Sequence, residues 1–269
     1  MNANTPDVLR IMGTQESLPE DERGKTDNVH VVGGAERIID PSARPAIFEL
    51  INLAVHAHGI TGVELLGPWR FADPRHVNPE VSQKTRHDHF NRCLRRSREI
   101  IAARYPGLIV SFKMDEEVFA ETDWSVVPDA RRIEIHCMDP RLDNQLVEAF
   151  NRGYVLRIPG GASSFNRPNF RDFMLSELAR IQEKMALEKR VIESIVLCDH
   201  WDCAALDGTA RTKEMEIAKH QGNLLDAAQV IRCRFDLLGW QIPALGGRIY
   251  HFNAPAQIFD VSLRGEKSV

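Results

Sequence analysis

The sequence lacks several features, and each absence removes a class of protein. No apolar run approaches the roughly 18 residues of a membrane-spanning helix. The opening MNANTPDVLRIMG has no basic stretch leading into an apolar one, so it does not read as a secretion signal. Basic residues are not in excess: 34 Lys and Arg stand against 38 Asp and Glu, a formal net charge of −4, which argues against a general nucleic-acid-binding surface. Cysteines are few and odd in number, five in 269 residues, and do not build a disulfide framework. Low-complexity segments are missing too. Together these absences predict a soluble, cytoplasmic protein with no membrane and no nucleic-acid partner. At 43% hydrophobic, the chain is long enough to bury a real core, as one large α/β domain or two smaller ones.

What is present is an order of features that occurs twice. Val31-Val32-Gly33-Gly34-Ala35 is followed by a helical stretch from about Pro45 to His58, then by the apolar run GVELLGPWRF from Gly62. Ile158-Pro159-Gly160-Gly161-Ala162 is followed by a helical stretch from about Phe170 to Leu187, then by SIVLCDHWDC from Ser194. Aligning Trp69 with Trp201 also aligns Leu65 with Leu197. A polar loop, a helix (about Arg86 to Arg104; about Lys213 to Leu238) and an apolar strand (LIVSF from Leu108; RIYHF from Arg248) follow each tryptophan. VLRIMG from Val8 and RIEIHC from Arg132 precede the two Gly-Gly pairs. Each stretch thus reads β-β-α-β-α-β, which predicts an α/β fold of two similar units with parallel-rich sheets flanked by helices. The expected division is residues 1–118, a linker over 119–131 within the weakly periodic 116–131, and residues 132–269. Residues 14–28 read as a polar loop, and AQIFDVSL near the C-terminus as an added edge strand.

The candidate chemistry lies in the second unit. Cys137-Met138-Asp139-Pro140-Arg141 directly follows the strand-like RIEIH, and His200-Trp201-Asp202-Cys203 directly follows SIVLCD. Residues just beyond the carboxyl ends of parallel strands sit at the rim where α/β sheets bind ligands. Cys137, His200 and Cys203 converging there form a soft, three-donor set suited to zinc. Three protein ligands leave a fourth position for water or substrate, as in catalytic rather than structural sites. Asp139 and Arg141, two apart, leave the loop on similar headings. The carboxylate can be a fourth ligand, or it can accept a hydrogen bond or proton from water while the guanidinium holds it off the metal.

In this order these motifs resemble the β-class carbonic anhydrases, whose pattern is Cys-x-Asp-x-Arg, then a turn with Gly-Gly, then His-x-x-Cys. Here the three parts are Cys137 to Arg141, Arg157-Ile158-Pro159-Gly160-Gly161, and His200 to Cys203, and the likeness covers about residues 132–258. The resemblance implies that Cys137, His200 and Cys203 bind zinc, with Asp139 and Arg141 as a catalytic dyad beside it. It implies a lyase that hydrates carbon dioxide to bicarbonate by zinc-bound hydroxide. It also implies a dimeric functional minimum, so that the tandem chain, an internal duplication, is a pseudo-dimer fused into one polypeptide. Such fused bodies can pair further into homo-oligomers. The chain departs from the pattern at Pro140, Ile158, Pro159, Trp201 and Ala204, which remodels the expected pocket. A related substrate such as carbonyl sulfide or carbon disulfide is therefore an alternative, and so is a non-catalytic zinc protein in which Asp139 fills the fourth position.

The first unit carries Gly13, Pro68 and Phe71 where the second carries Cys137, His200 and Cys203, so it is expected to be a metal-free scaffold, which leaves one site per chain. Cys198, inside an apolar run, reads as core, and Cys93 and Cys233 as helix packing residues. Alternation points His136 to the side of the strand opposite Cys137. His87-Asp88-His89 reads as the start of a solvated helix, its acidic residue suited to the N-terminal dipole. His56 and His58 receive no role, and Gly33-Gly34 lacks the third glycine of a nucleotide-binding fingerprint.

Overall fold

The computed structural model describes residues 8–13, 23, 26–31, 34–68, 80–121, 131–144, 146, 149, 153–187, 189–201, 203, 212–251 and 257–262. Nine strands form one continuous sheet: β1 (Val8–Met12), β2 (Asp27–His30), β3 (Gly62–Gly67), β4 (Ile109–Met114), β5 (Arg132–Cys137), β6 (Tyr154–Ile158), β7 (Ser194–His200), β8 (Ala244–His251) and β9 (Gln257–Ser262). The helices are α1 (Glu36–Ile39), α2 (Arg44–His58), α3 (Gln83–Arg104), α4 (Glu116–Glu121), α5 (Pro168–Leu187) and α6 (Lys213–Leu237). The fold is α/β, with a mostly parallel sheet flanked by helices. None of the described helices is long and apolar enough to cross a membrane.

Across the sheet the order is β4-β3-β1-β2-β6-β5-β7-β8-β9. Neighbours are parallel except at β2–β6 in the middle and β8–β9 at the edge. Read outward from the antiparallel junction, each half therefore has the same sequence of strands: second, first, third, fourth. The registers agree as well. Ile11 lies level with Val29 and Leu65, and Ile135 with Leu156 and Leu197. Counting two residues on from Ile11 and Ile135 reaches Gly13 and Cys137, and three on from Leu65 and Leu197 reaches Pro68 and His200. Phe71 and Trp69 lie outside the described residues.

Within each half, the second-to-third and third-to-fourth crossovers step the same way along the sheet. Right-handed crossovers then lay both helices on one face. Alternation buries Leu9, Ile11, Val63 and Leu65 against α2 and α3, and Ile133, Ile135, Ile195 and Leu197 against α5 and α6, in one core shared by both halves. On the opposite face a smaller cluster joins Leu142, Leu146 and Ala149 to Val155, Cys198 and Tyr250. Helix ends follow local chemistry. The Ser82 and Thr212 hydroxyls accept from the amides of Thr85 and Met215, and α2 stops at Gly59 with φ +67°, a left-handed conformation that costs glycine little.

Buried polar contacts bind the halves together. Arg37 of α1 forms an ion pair with Glu177 of α5, Nε to Oε1 at 2.9 Å, both side chains being buried. Its Nη2 reaches the Ser176 hydroxyl at 3.3 Å. At the junction itself, His30 pairs with Arg157.

Several local expectations need correcting. Asp27 and Asn28 form part of β2 and are buried, not a loop, because their polar groups find partners inside: Asp27 in His58, Asn28 in Met138 and Asp143 of the C-terminal half. Residues 119–121 of the expected linker belong to α4, whose Phe119 packs into the core; residues 122–130 lie outside the described residues. Helix α3 starts at Gln83, so Asp88 sits beyond the first turn and Ser82 supplies the cap instead. Cys233 is exposed rather than packed.

The junction generates a pH prediction. Burial, together with the Arg157 charge, lowers the His30 pKa to about 3, and Nδ1–H donates to the Gly13 carbonyl at 2.9 Å. The unfolded chain takes up this proton near pH 6.5, the folded one only near 3, so stability rises with pH between those values. Urea unfolding should show stability falling as pH drops from 6.5 toward 3, and His30→Asn should flatten that slope. An unchanged slope would remove His30 from the account.

Candidate metal centre

The carboxyl ends of β5 and β7 bring Cys137 and His200 side by side, and the chain after β7 returns Cys203 to them. Their donor atoms all lie within 4.8 Å of one another, and all three residues are buried. The two sulfurs are 3.7 Å apart. That is far too long for a disulfide (about 2.05 Å), but it matches the edge of about 3.8 Å that two thiolates subtend at a tetrahedral zinc. His200 Nδ1–H donates to the Trp201 carbonyl at 2.8 Å, which makes Nε2 the ring nitrogen available to a metal ion.

Asp139 lies beside the donor set. Its Oδ2 is 3.7 Å from His200 Nε2. Arg141 holds the carboxylate through its backbone amide (2.9 Å to Oδ1), through Nε (3.0 Å to Oδ1) and through Nη2 (2.6 Å to Oδ2). Each site residue read from the sequence is thus brought to one place. Ala204 and Asp202 lie outside the described residues.

The electrostatics favour a cation. Burial works against a charge on His200, but the Cys137 sulfur and the Asp139 carboxylate outweigh it and raise its pKa to about 9. The Cys203 sulfur and burial push the Cys137 thiol well above its ordinary range, as two thiolates without a positive charge between them repel. Burial would raise Asp139, yet the hydrogen bonds and charge of Arg141, together with the His200 charge, more than compensate and keep it ionised at lower pH than usual. The Gly160 amide donates to Cys137 Sγ at 3.3 Å, adding support for the thiolate. These groups are suited to holding a metal ion.

The sequence marks Arg157 and Gly161 only as parts of a turn motif, and gives Asn28, Asp27, His58 and Asp143 no role at the site. Arg157, 1% exposed, donates to three consecutive carbonyls, those of Cys137 (3.2 Å), Met138 (3.1 Å) and Asp139 (2.8 Å), and to Asp143 Oδ1 at 2.5 Å. Asn28 of the N-terminal half joins it. Its amide donates to the Met138 carbonyl at 3.2 Å and its Nδ2 to Asp143 Oδ2, also at 3.2 Å. Asp27 is buried beside it and hydrogen-bonds His58 from the end of α2. That contact raises the His58 pKa, with the charges of Cys137 and Asp139 contributing. Gly161, at φ +52°, passes so close that a Cβ there would fall 2.3 Å from the Cys198 carbonyl oxygen and 3.0 Å from the Cys137 nitrogen. Asp199 pins the same turn, accepting from the Ser163 amide at 3.4 Å and pairing with His220 Nδ1 at 3.1 Å.

The class defined by fold and site is therefore an α/β protein with a buried Cys-His-Cys donor set at the carboxyl edge of a mostly parallel sheet. Family models, curated proteins and solved structures contain no match to this chain.

Arg157→Met should cost about 3–5 kcal/mol, since it strands the Asp143 carboxylate and three carbonyls in the interior. Arg157→Lys should rescue little of this, because a point charge cannot reproduce the guanidinium fork. Urea denaturation reads the loss, and a change below 1 kcal/mol for the Met variant would contradict the clamp.

Proposed function

We propose that the chain is a zinc-dependent, carbonic-anhydrase-like lyase that interconverts carbon dioxide and bicarbonate. The observation that carries this reading is the carboxylate of Asp139, fixed by three donors of Arg141 and lying 3.7 Å from His200 Nε2, beside the Cys137–His200–Cys203 set. The donor chemistry fits zinc: two soft sulfurs and one imidazole at tetrahedral spacing, with oxygen-only metals disfavoured. When bound, zinc supplies the Lewis acidity that makes hydroxide available near neutral pH.

The protein's own groups do the rest. Asp139, kept ionised by Arg141, accepts a hydrogen bond from the attacking oxygen and so aims its remaining lone pair at the carbon. Because the guanidinium occupies both carboxylate oxygens, the carboxylate is held as an acceptor instead of being spent as a fourth ligand. This favours a catalytic centre over a closed structural one. The His200–Trp201 hydrogen bond fixes the ring orientation, and Arg157 with Gly160 fixes the loop that carries Cys137. The matching strand orders and registers of the two halves support reading the chain as an internally duplicated pseudo-dimer, in which the N-terminal half packs around the site of the other. Asn28, Asp27 and His58 are its contribution.

The test is metal analysis combined with stopped-flow carbon dioxide hydration between about pH 7 and 9. Cys203→Ala should remove both zinc from this site and activity, and Asp139→Asn should retain zinc while lowering turnover by about 100-fold. Zinc bound with no hydration at any pH in that range would sink the proposal; carbonyl sulfide and carbon disulfide would then be the next substrates to assay.

A further inference from the structure

A second set of metal donors lies in the N-terminal half, away from the centre described above. We infer that Glu36, His89 and Cys93 form a second divalent-metal site, selective for zinc-like ions. The inference is independent of the proposed activity.

His89 and Cys93 are four residues apart on α3, so both project from one helix face. Cys93 Sγ is 3.2 Å from His89 Nε2. Glu36, the first residue of α1, brings Oε1 to 3.7 Å from the same nitrogen. All three donor atoms lie within 4.8 Å of one another. An imidazole nitrogen, a thiolate and a carboxylate oxygen around one tetrahedral zinc are separated by about 3.3–3.6 Å, so small side-chain adjustments would close the sphere.

The scaffold holding these donors is rigid. The Ser97 hydroxyl donates to the Ala35 carbonyl at 2.7 Å, fastening the start of α1 to α3. One residue after Glu36, Arg37 is anchored in the Glu177 ion pair. Two ligands on one helix and a third on a helix bonded to it are thus presented without a loop to order, which lowers the cost of binding. Access is open, because the His89 and Glu36 side chains are 26% and 22% exposed while Cys93 is buried at 7%. An ion can enter from solvent, keep a water as fourth ligand and still have its sulfur shielded.

The ligand class follows from the donors. One thiolate and one imidazole with a single carboxylate favour zinc, or cobalt as its spectroscopic stand-in, over magnesium and calcium, which prefer all-oxygen shells. The remaining buried trio, Glu134, His136 and Cys198, is a weaker candidate. Glu134 is already engaged by Arg132 at 2.8 Å and by His136 at 3.0 Å, and nothing there opens to solvent. The site departs from the expectation of a metal-free N-terminal half with one site per chain, which was drawn from the positions matching Cys137, His200 and Cys203. Glu36, His89 and Cys93 lie at none of these.

The experiment uses the full chain, loaded with zinc or cobalt(II), freed of excess metal and assayed for bound metal. Wild type should carry about two zinc ions. His89→Ala and Cys93→Ser should each lose about one, while Cys203→Ala should lose the other. In the cobalt form, the thiolate-to-metal absorption band should fall by about a third in Cys93→Ser, which removes one of three thiolates. Cys233→Ser, an exposed cysteine in neither set, should change nothing. Circular dichroism checks that each variant is folded. If His89→Ala misfolds, Cys93→Ser read by the cobalt band decides the matter alone. Zinc content and cobalt spectrum unchanged by the α3 substitutions would overturn the site and leave an ordinary His–Glu ion pair. Loss of metal in Cys203→Ala only, with a wild-type content of one, would do the same while leaving the proposed lyase centre standing.

Discussion

One fully buried guanidinium holds the centre together. Arg157 sits where the two halves of the sheet meet, opposite His30, and it satisfies the carbonyls of Cys137, Met138 and Asp139 while its charge is met by Asp143. A charge this deep is costly unless every donor finds a partner, and a loop running through the interior is costly unless its carbonyls do. Each supplies what the other needs. The result is a loop whose shape is set before any ion arrives, with a cysteine at one end and a carboxylate at the other.

That arrangement makes the centre a property of both halves. Its donors all belong to the C-terminal half, but the Asn28 amide and side chain complete the hydrogen bonding of the Met138–Asp143 loop, and Asp27 with His58 adds a titratable pair whose charge state is coupled to it. The antiparallel β2–β6 junction and the buried Arg37–Glu177 pair keep these elements in place. A C-terminal half expressed alone would expose the β2-facing edge of β6 and leave Asp143 with one partner fewer.

Much of the fold was legible because it depends on periodicity. The alternation in VLRIM and RIEIHC, the helical spacing after each Gly-Gly and the added strand at AQIFDVSL all reappear as elements close to their expected limits. The misreadings share a cause. Asp27 and Asn28 are polar because they meet buried polar partners far along the chain, His58 for one and the Met138–Asp143 loop for the other, and polarity in a short run reads as a loop when those partners are not in view. Phe119 lies in a six-residue helix, too short to show a period. His89 was read with His87 and Asp88 along the sequence, whereas its neighbours in space are Cys93 on the same helix and Glu36 from 53 residues earlier.

Which atoms are available, and at which strand ends they emerge, can be read along the chain. Cys137, His200 and Cys203, with Asp139 and Arg141 beside them, follow from residue type and from position just beyond a parallel strand. How those atoms are held is a matter of packing: the sulfur–sulfur separation, the face His200 Nε2 presents, and the hydrogen bonds that hold Asp139 to Arg141. Packing alone brought Asn28 and Arg157 to the loop, and Glu36 to α3. The physical reason is that local spacing encodes the heading of a side chain, whereas the satisfaction of buried charges and carbonyls depends on groups far away in the chain. Those groups meet only when the sheet closes.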